Sequence, residues 1–396
     1  MLKQLETYEH ATDLIDDLLL VPGPTNLSAR VREIMSKPQM SHSSAGFVES
    51  FQELLNLTRY VFASEKGNPF VITGSGTIGM EASVVSLLEP NDSVLVLDTG
   101  HFGNRFALMT EAVGCRTDVK KYETGRHAQP DDVEEMLSEG DYKAVFLSHV
   151  DTSTTIVNPI EEIVAVVKKY GAYAIVDSVC GLAGMKLNFD RLNADIVLTG
   201  SQKAIAAPPG AVLLSVSNQA IHAMENRKTK IPSFYFDLTR WKTVMDDPSI
   251  YLATPAVQIM MALKEAIQIV KEEGLERRWR RHHIIAEAFR SGLDKLGLGF
   301  VAEEGYRADT VTGFYIPEGK AAEVQSYMNK HGVILAGGLG TLKGKILRLG
   351  HFGNICPRDI SGALTVLEMA LRNVGHTVKL GSAVEAASIH LENLDQ

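Results

Sequence analysis

Short apolar runs rich in β-branched residues recur along this chain, and helix-length segments separate several of them. Phe70 to Thr73, Val94 to Asp98, Ala144 to Ser148, Ala174 to Asp177, Ile196 to Leu198 and Ala211 to Ser215 read as buried strands. Gly79 to Leu88, Gln129 to Leu137 and Ile160 to Lys169 read as helices. That alternation predicts an α/β domain with a mostly parallel, mixed sheet sandwiched by helices. The step from Leu198 to Ala211 leaves little room for a crossover helix, so those two strands are expected to be antiparallel.

The pattern changes after about Pro255. Val257 to Asp294 reads as one or two long helices, and the basic patch Arg277-Arg278-Trp279-Arg280-Arg281 on it reads as a solvated face. From Phe300 strands and helices mix: Thr312 to Ile316, Ala321 to His331, Ile346 to Gly350 and Ile360 to Asn373. This predicts a smaller α+β C-terminal domain. The expected division is an N-terminal arm over 1–20 and a large domain over 21–256. An interdomain helix with the small domain covers 257–376, and a weakly patterned tail covers 377–396.

The length of 396 residues makes two domains the default. Hydrophobic residues make up 45% and charged ones 22%, a globular composition. Lys plus Arg is 39 and Asp plus Glu is 48, so the net charge is 39 − 48 = −9, which argues against nucleic-acid and anionic-membrane partners. No stretch approaches the ~20 apolar residues of a membrane span. The opening residues are too acidic and polar for a signal peptide. Cys115, Cys180 and Cys356 are odd in number, far apart and without histidines at metal-ligand spacing. They read as reduced cysteines of a cytoplasmic protein with no metal site.

The candidate chemistry lies at two strand ends. Asp177 closes the run Ala174-Ile175-Val176, and Gly200-Ser201-Gln202-Lys203 follows Ile196-Val197-Leu198. In an open parallel sheet, ligands sit beyond the carboxyl ends of the strands. A lysine and a carboxylate arriving there together match the needs of pyridoxal phosphate, whose carbonyl is held by a lysine and whose pyridine nitrogen pairs with an acid. Thr73-Gly74-Ser75-Gly76-Thr77 follows a strand and opens a helix, a turn that faces an anion with backbone amides. Gly74, Gly76 and Gly79, with Asp98 about twenty residues on, also fit a dinucleotide fingerprint. Spacing alone leaves both readings open, and the lysine favours the first. Phe102, after the next strand, is a flat partner for a ring or ordinary core.

Taken together, these motifs resemble the class V (fold type I) pyridoxal-phosphate aminotransferases, in particular their alanine/serine–glyoxylate (serine–pyruvate) branch. The similarity runs from Leu19 to about Asn373. Val21-Pro-Gly-Pro-Thr-Asn26 is similar to the N-terminal motif, and the resemblance gives Gly23 to the substrate side. It implies a fold type I architecture and a phosphate loop at Ser75, Gly76 and Thr77. It further implies a ring-stacking Phe102 and a hydroxyl from Thr152, within His149-Val-Asp-Thr-Ser-Thr154, toward the cofactor's 3′ oxygen. Asp177 is implied as the pyridine partner with Val179 beside it, Lys203 as the Schiff-base lysine with Gln202 beside it, and Arg348 as the grip on the substrate carboxylate. Tyr251 and Thr254 are implied to reach the phosphate of the neighbouring subunit, which makes the enzyme a homodimer with shared active sites.

The expected activity is pyridoxal-phosphate-dependent transamination of alanine or serine with glyoxylate or pyruvate. The alternatives are an aminophosphonate transaminase, another class V lyase or epimerase, and, from another class, a nucleotide- or sugar-phosphate-binding oxidoreductase. Two departures stand out. Relatives often carry His-Arg-Ser-Pro near Ser41-His-Ser-Ser44, so Ser43 stands where an arginine is common. Thr152 stands where serine is commoner. The stretch from Lys320 to Leu347 lacks the cysteine that a desulfurase requires.

Overall fold

The computed structural model describes residues 17–395. Most of the expected N-terminal arm, residues 1–16, lies outside them. Seven strands build the main sheet: β1 (Asn68–Gly74), β2 (Ser93–Asp98), β3 (Arg116–Lys121), β4 (Ala144–Ser148), β5 (Tyr173–Asp177), β6 (Ile196–Gly200) and β7 (Gly210–Val216). Their order is β1-β7-β6-β5-β4-β2-β3. All neighbours are parallel except β7, which runs antiparallel to both β6 and β1, as the short step before it requires. Strands β4 and β6 are buried at every position, which explains their unbroken apolar runs. Edge strand β3 reads Arg-Thr-Asp-Val-Lys-Lys and carried no apolar run to reveal it; charge on an edge discourages pairing with other chains.

A second core gathers around a three-stranded sheet in the order β8 (Val311–Tyr315), β10 (Ile346–Gly350), β9 (Ala336–Gly337). Leu20 is buried in this core, Leu18–Leu19 pairs with Val333–Ile334, and Gly350 donates to the Leu20 carbonyl at 2.8 Å. The described residues therefore begin against the second unit, and the chain crosses to the first through Val21–Asn26. Ser382–Leu391 is a helix packed on the long helix Leu275–Lys295, with Ala383 and Ala387 buried. Buried Glu368 accepts from the amides of Gly381 and Ala383 at 2.6 and 2.7 Å and so closes the helix start. Its small residues leave no apolar stripe in the sequence to announce it.

The region after Pro255 forms two helices, Val257–Glu273 and Leu275–Lys295, broken at Gly274, whose φ of +85° suits glycine. The basic patch at the start of the second helix is not simply a solvated face. Arg278 is 1% exposed, pairs with Glu273 at 2.5 Å and donates to the Ala204 carbonyl. Arg281 pairs with the same carboxylate at 2.6 Å and donates to the carbonyls of Gly353 and Ile355 at 2.9 and 3.0 Å. The tight break at Gly274 folds Glu273 back onto both arginines, so part of the basic patch is pinned to a carboxylate rather than left in solvent. Removing one partner of a buried pair leaves an uncompensated charge. Glu273→Ala should lower stability by about 3 kcal/mol, whereas exposed Arg277→Ala should change it by about 0.5 kcal/mol or less. Urea midpoints of the two variants check this.

Candidate active site

The parallel strands deliver their carboxyl ends to one edge. Ser148 of β4 lies beside Asp177 of β5, and Asp177 beside Leu198 of β6. The turn after β6 then carries Lys203. Asp177 is 4% exposed and accepts from the Val179 amide at 2.9 Å. Burial pushes its carboxyl up to about 6; the Val179 amide opposes this, Asp151 adds to it, and Lys203 and Arg105 oppose it. Lys203 is 8% exposed, and its Nζ donates to the Pro22 carbonyl. Burial holds its ammonium below the ordinary value, with Arg348 acting in the same direction and Asp177 against it. Gly23 sits over this lysine with φ +88°, and a Cβ there would lie 2.5 Å from Lys203 Cδ. Only glycine permits that approach.

A single buried carboxylate organises the next segment. Asp151 Oδ2 accepts from the amides of Phe102 and Gly103 at 2.9 and 3.2 Å. Its Oδ1 accepts from the amide and hydroxyl of Ser153, and Ser153 Oγ accepts from the His101 amide at 2.9 Å. These bonds satisfy the open start of helix His101–Ala112, which Gly100 itself cannot cap with a side chain. Phe102 is thereby fixed at its backbone. Arg105, on the same helix, stacks over the Phe102 ring at 4.8 Å and donates to Thr77 Oγ1 at 2.9 Å. Below Asp177, buried His149 donates its amide to the Asp177 carbonyl at 2.8 Å, and its Nδ1 lies 3.0 Å from Ser178 Oγ. Burial brings its imidazole down to about 4, so it is neutral at physiological pH.

The second unit contributes Arg348 from β10. Its Nε donates to the Gly337 carbonyl at 2.9 Å and its Nη1 to the Thr152 carbonyl at 2.7 Å. Two of the five guanidinium N–H donors are engaged, which leaves three for a ligand. Thr152 is buried and meets Arg348 through its backbone. Tyr251 stands apart. It is 65% exposed, and its hydroxyl lies 3.2 Å from that of Thr254. Among the described residues, no hydrogen bond joins either of them to Lys203, Asp177 or the Ser75 turn. Tyr251 shares a cleft with His42, Ser43 and Thr73, at the end of β1.

The family model of aminotransferase class-V matches residues 26–351. The chain belongs to the class-V aminotransferases. It is 38% identical over 381 residues to an uncharacterized aminotransferase of Methanocaldococcus jannaschii, covering 95% of this chain and 97% of the relative. It is 34% identical to alanine–glyoxylate aminotransferase 1 of Saccharomyces cerevisiae, covering 85% and 92%. The crystal structure of ureidoglycine–glyoxylate aminotransferase from Bacillus subtilis superposes with a TM-score of 0.92 at 27% identity, covering 95% and 98%. The fold is accordingly fold type I, and the enzyme's cofactor is pyridoxal 5′-phosphate.

The residues present fit that cofactor. Ser75 precedes helix Gly76–Leu87 without capping it, so its hydroxyl and the first amides are open to an anion. A Cβ on Gly76 would stand 2.7 Å from Val179 Cγ2, so the backbone can close in there only as glycine. Gln202 Oε1 is buried with no partner, beside the lysine. Asp177 is a buried carboxyl whose charge a protonated ring nitrogen would stabilise. Among the described residues, no group of three His, Cys, Asp or Glu side chains could hold a metal ion, and no helix is long and apolar enough to cross a membrane.

Sequence reasoning missed Asp151, Arg105 and the Pro22 carbonyl. Asp151-Thr152-Ser153 is a side-chain-to-backbone capping pattern, and Arg105 is three residues past Phe102 on a helix; both signals were present. The Pro22 carbonyl has no side-chain signal.

Asp177 carries a pH signature in the cofactor-free enzyme. Its folded value of about 6 lies above the ordinary 3.8, so the folded chain holds this proton more tightly than the unfolded chain. Its contribution is therefore neutral below about pH 4, grows unfavourable as pH rises from about 4 to about 6, and reaches about 3 kcal/mol in full above that. Asp177→Asn should raise the urea midpoint of the cofactor-free enzyme at pH 8, with the gain vanishing near pH 4. An equal gain at both pH values would show that charge is not its source.

Proposed function

We propose that this aminotransferase exchanges the amino group of a small amino acid, alanine or serine, with glyoxylate or pyruvate, using Lys203, Asp177 and Arg348. The observation that carries this reading is the convergence of a buried lysine and a buried carboxyl at adjacent strand ends, with an arginine from the second unit holding donors in reserve. The kinship with a yeast enzyme named for alanine and glyoxylate supports the small substrates. So does crowding: Pro22 and Gly23 pack directly on Lys203.

When bound, pyridoxal phosphate supplies the sink for the electrons released at the substrate Cα. Lys203 would supply the amine that holds the cofactor's aldehyde group, and its burial lets that amine give up its proton readily. With the cofactor bound, the same amine would be the group that takes and returns the proton at the substrate Cα. Asp177 holds the ring nitrogen protonated by opposite charge. Arg348 grips the substrate carboxylate in a planar fork whose direction the Gly337 and Thr152 carbonyls set. Phe102 supports one ring face, with Thr152, Val179 and Gln202 around it. Ser75, Gly76 and Thr77 hold the phosphate. Tyr251 and Thr254, exposed and mutually bonded, complete the phosphate site of a second copy in a two-fold dimer.

Borohydride reduction of the loaded enzyme, followed by peptide mass mapping, should place the cofactor on Lys203. A Lys203→Ala variant should lose both the label and turnover, and a label on another lysine would sink the assignment. A donor panel of alanine and serine against glyoxylate, pyruvate and 2-oxoglutarate should show stoichiometric exchange with glyoxylate or pyruvate.

The shared site makes a separate demand. Inactive Lys203→Ala chains mixed with inactive Tyr251→Ala/Thr254→Ala chains should regain activity, since one site of each hybrid dimer carries neither defect. Verified chain exchange without regained activity would place Tyr251 and Thr254 outside the partner's site.

A further inference from the structure

A phosphate monoester at the Ser75–Thr77 turn needs more positive charge than a helix start supplies. The open amides there amount to roughly half an elementary charge, against roughly −1.5 to −2 on the ester. Ser75, Gly76, Thr77, Gln202, Tyr251 and Thr254 are all uncharged. Of the cations at the site, Lys203 donates to the Pro22 carbonyl, and Arg348 is anchored on the carbonyls of Gly337 and Thr152.

Arg105 has the remaining charge. Its Nη1 donates to Thr77 Oγ1 at 2.9 Å, so the guanidinium touches a residue of the turn itself. Its other contacts are the Phe102 ring at 4.8 Å and His101 Nε2 at 3.3 Å. Among the described residues no carboxylate pairs with it. The helix that carries it is anchored at its start by Asp151, so the guanidinium is held at the turn by a fixed backbone. An arginine with free donors, placed on a hydroxyl at an anion-facing turn, is built to receive a phosphate in a bidentate manner.

We propose that Arg105 is the charge partner of the cofactor's phosphate, sharing that group with Thr77 while its plane rests on Phe102. The proposal rests on the reading of the Ser75–Thr77 turn as the phosphate site. A merely structural Arg105 would order the helix and Phe102, and would serve the ring whether or not a phosphate is attached.

Two ligands separate these roles: pyridoxal phosphate and pyridoxal, each titrated into cofactor-free enzyme and followed by absorbance. The wild type should prefer the phosphorylated form. Arg105→Gln should weaken pyridoxal phosphate binding about 10- to 100-fold, the range for a hydrogen bond to a charged group, and change pyridoxal binding by less than about threefold. Arg105→Lys should fall between, since an ammonium keeps the charge but loses the fork. Arg105→Met, which keeps the stem over Phe102, makes the same test should the glutamine variant not fold. Equal weakening of both ligands, or no change in either, overturns the role of Arg105 alone. A wild type that binds pyridoxal as tightly as pyridoxal phosphate overturns the reading of the turn and the proposal with it.

Discussion

A buried carboxyl and a buried amine that do not pair with each other set the terms for the rest of this chain. Asp177 and Lys203 sit at the ends of adjacent parallel strands, and among the described residues no ion pair joins them. Burying an ionisable group without a full partner is unfavourable, and a group so placed drifts toward its neutral form. Here both drift: the carboxyl upward and the ammonium downward. Each retains one main-chain partner, the Val179 amide and the Pro22 carbonyl. The fold thus carries two buried ionisable groups, each held by a single main-chain partner and neither paired with the other. The buried central strands β4 and β6, on either side of Asp177, keep water from both groups.

The second unit is part of that site rather than an appendage. The chain passes through its core at Leu20 before the Pro22 carbonyl reaches Lys203. Arg278 holds the Ala204 carbonyl, immediately after the lysine, while Arg281 on the next turn holds Gly353 and Ile355, just past β10. Glu273 neutralises both. Arg348 in turn spans Gly337 of the second unit and Thr152 of the first. Lys203 and Arg348 are therefore registered to each other through main-chain carbonyls, acceptors that carry no formal charge and leave the arginine's own charge uncancelled.

What the sequence revealed follows from what each residue had to satisfy. Strands β4, β5 and β6 are buried, so their apolar runs were continuous and their terminal Asp177 and Gly200-Ser-Gln-Lys203 stood out. The antiparallel turn of β7 was legible from loop length alone. Edge strand β3 and the helix Ser382–Leu391 were not, because one is charged and the other small-residued, and neither bears a periodic apolar face. The arginine patch misled for a different reason. Which face Arg278 and Arg281 take depends on the break at Gly274 and on carbonyls from Ala204, Gly353 and Ile355, partners that local pattern cannot supply. Pro22 contributes only its backbone, so no side chain could have announced it.

Asp151 shows how one residue can join architecture to chemistry. Its carboxylate closes the start of helix His101–Ala112 and fixes the backbone of Phe102. The same charge raises the affinity of Asp177 for its proton, while Arg105, carried on that very helix, acts against it. The cap and the helix thus bring opposite charges toward the carboxyl. Because Asp151 bonds the helix start, the distances of these charges from Asp177 are set together and cannot drift independently. A serine here would offer one oxygen where the carboxylate offers two for these four bonds, and it would also remove a charge that acts on Asp177. Burial would then stand alone against the Val179 amide, Lys203 and Arg105, and Asp177 would be the stronger acid. The carboxylate at this position therefore does more than satisfy amides: it adds to burial in holding Asp177 toward its neutral form.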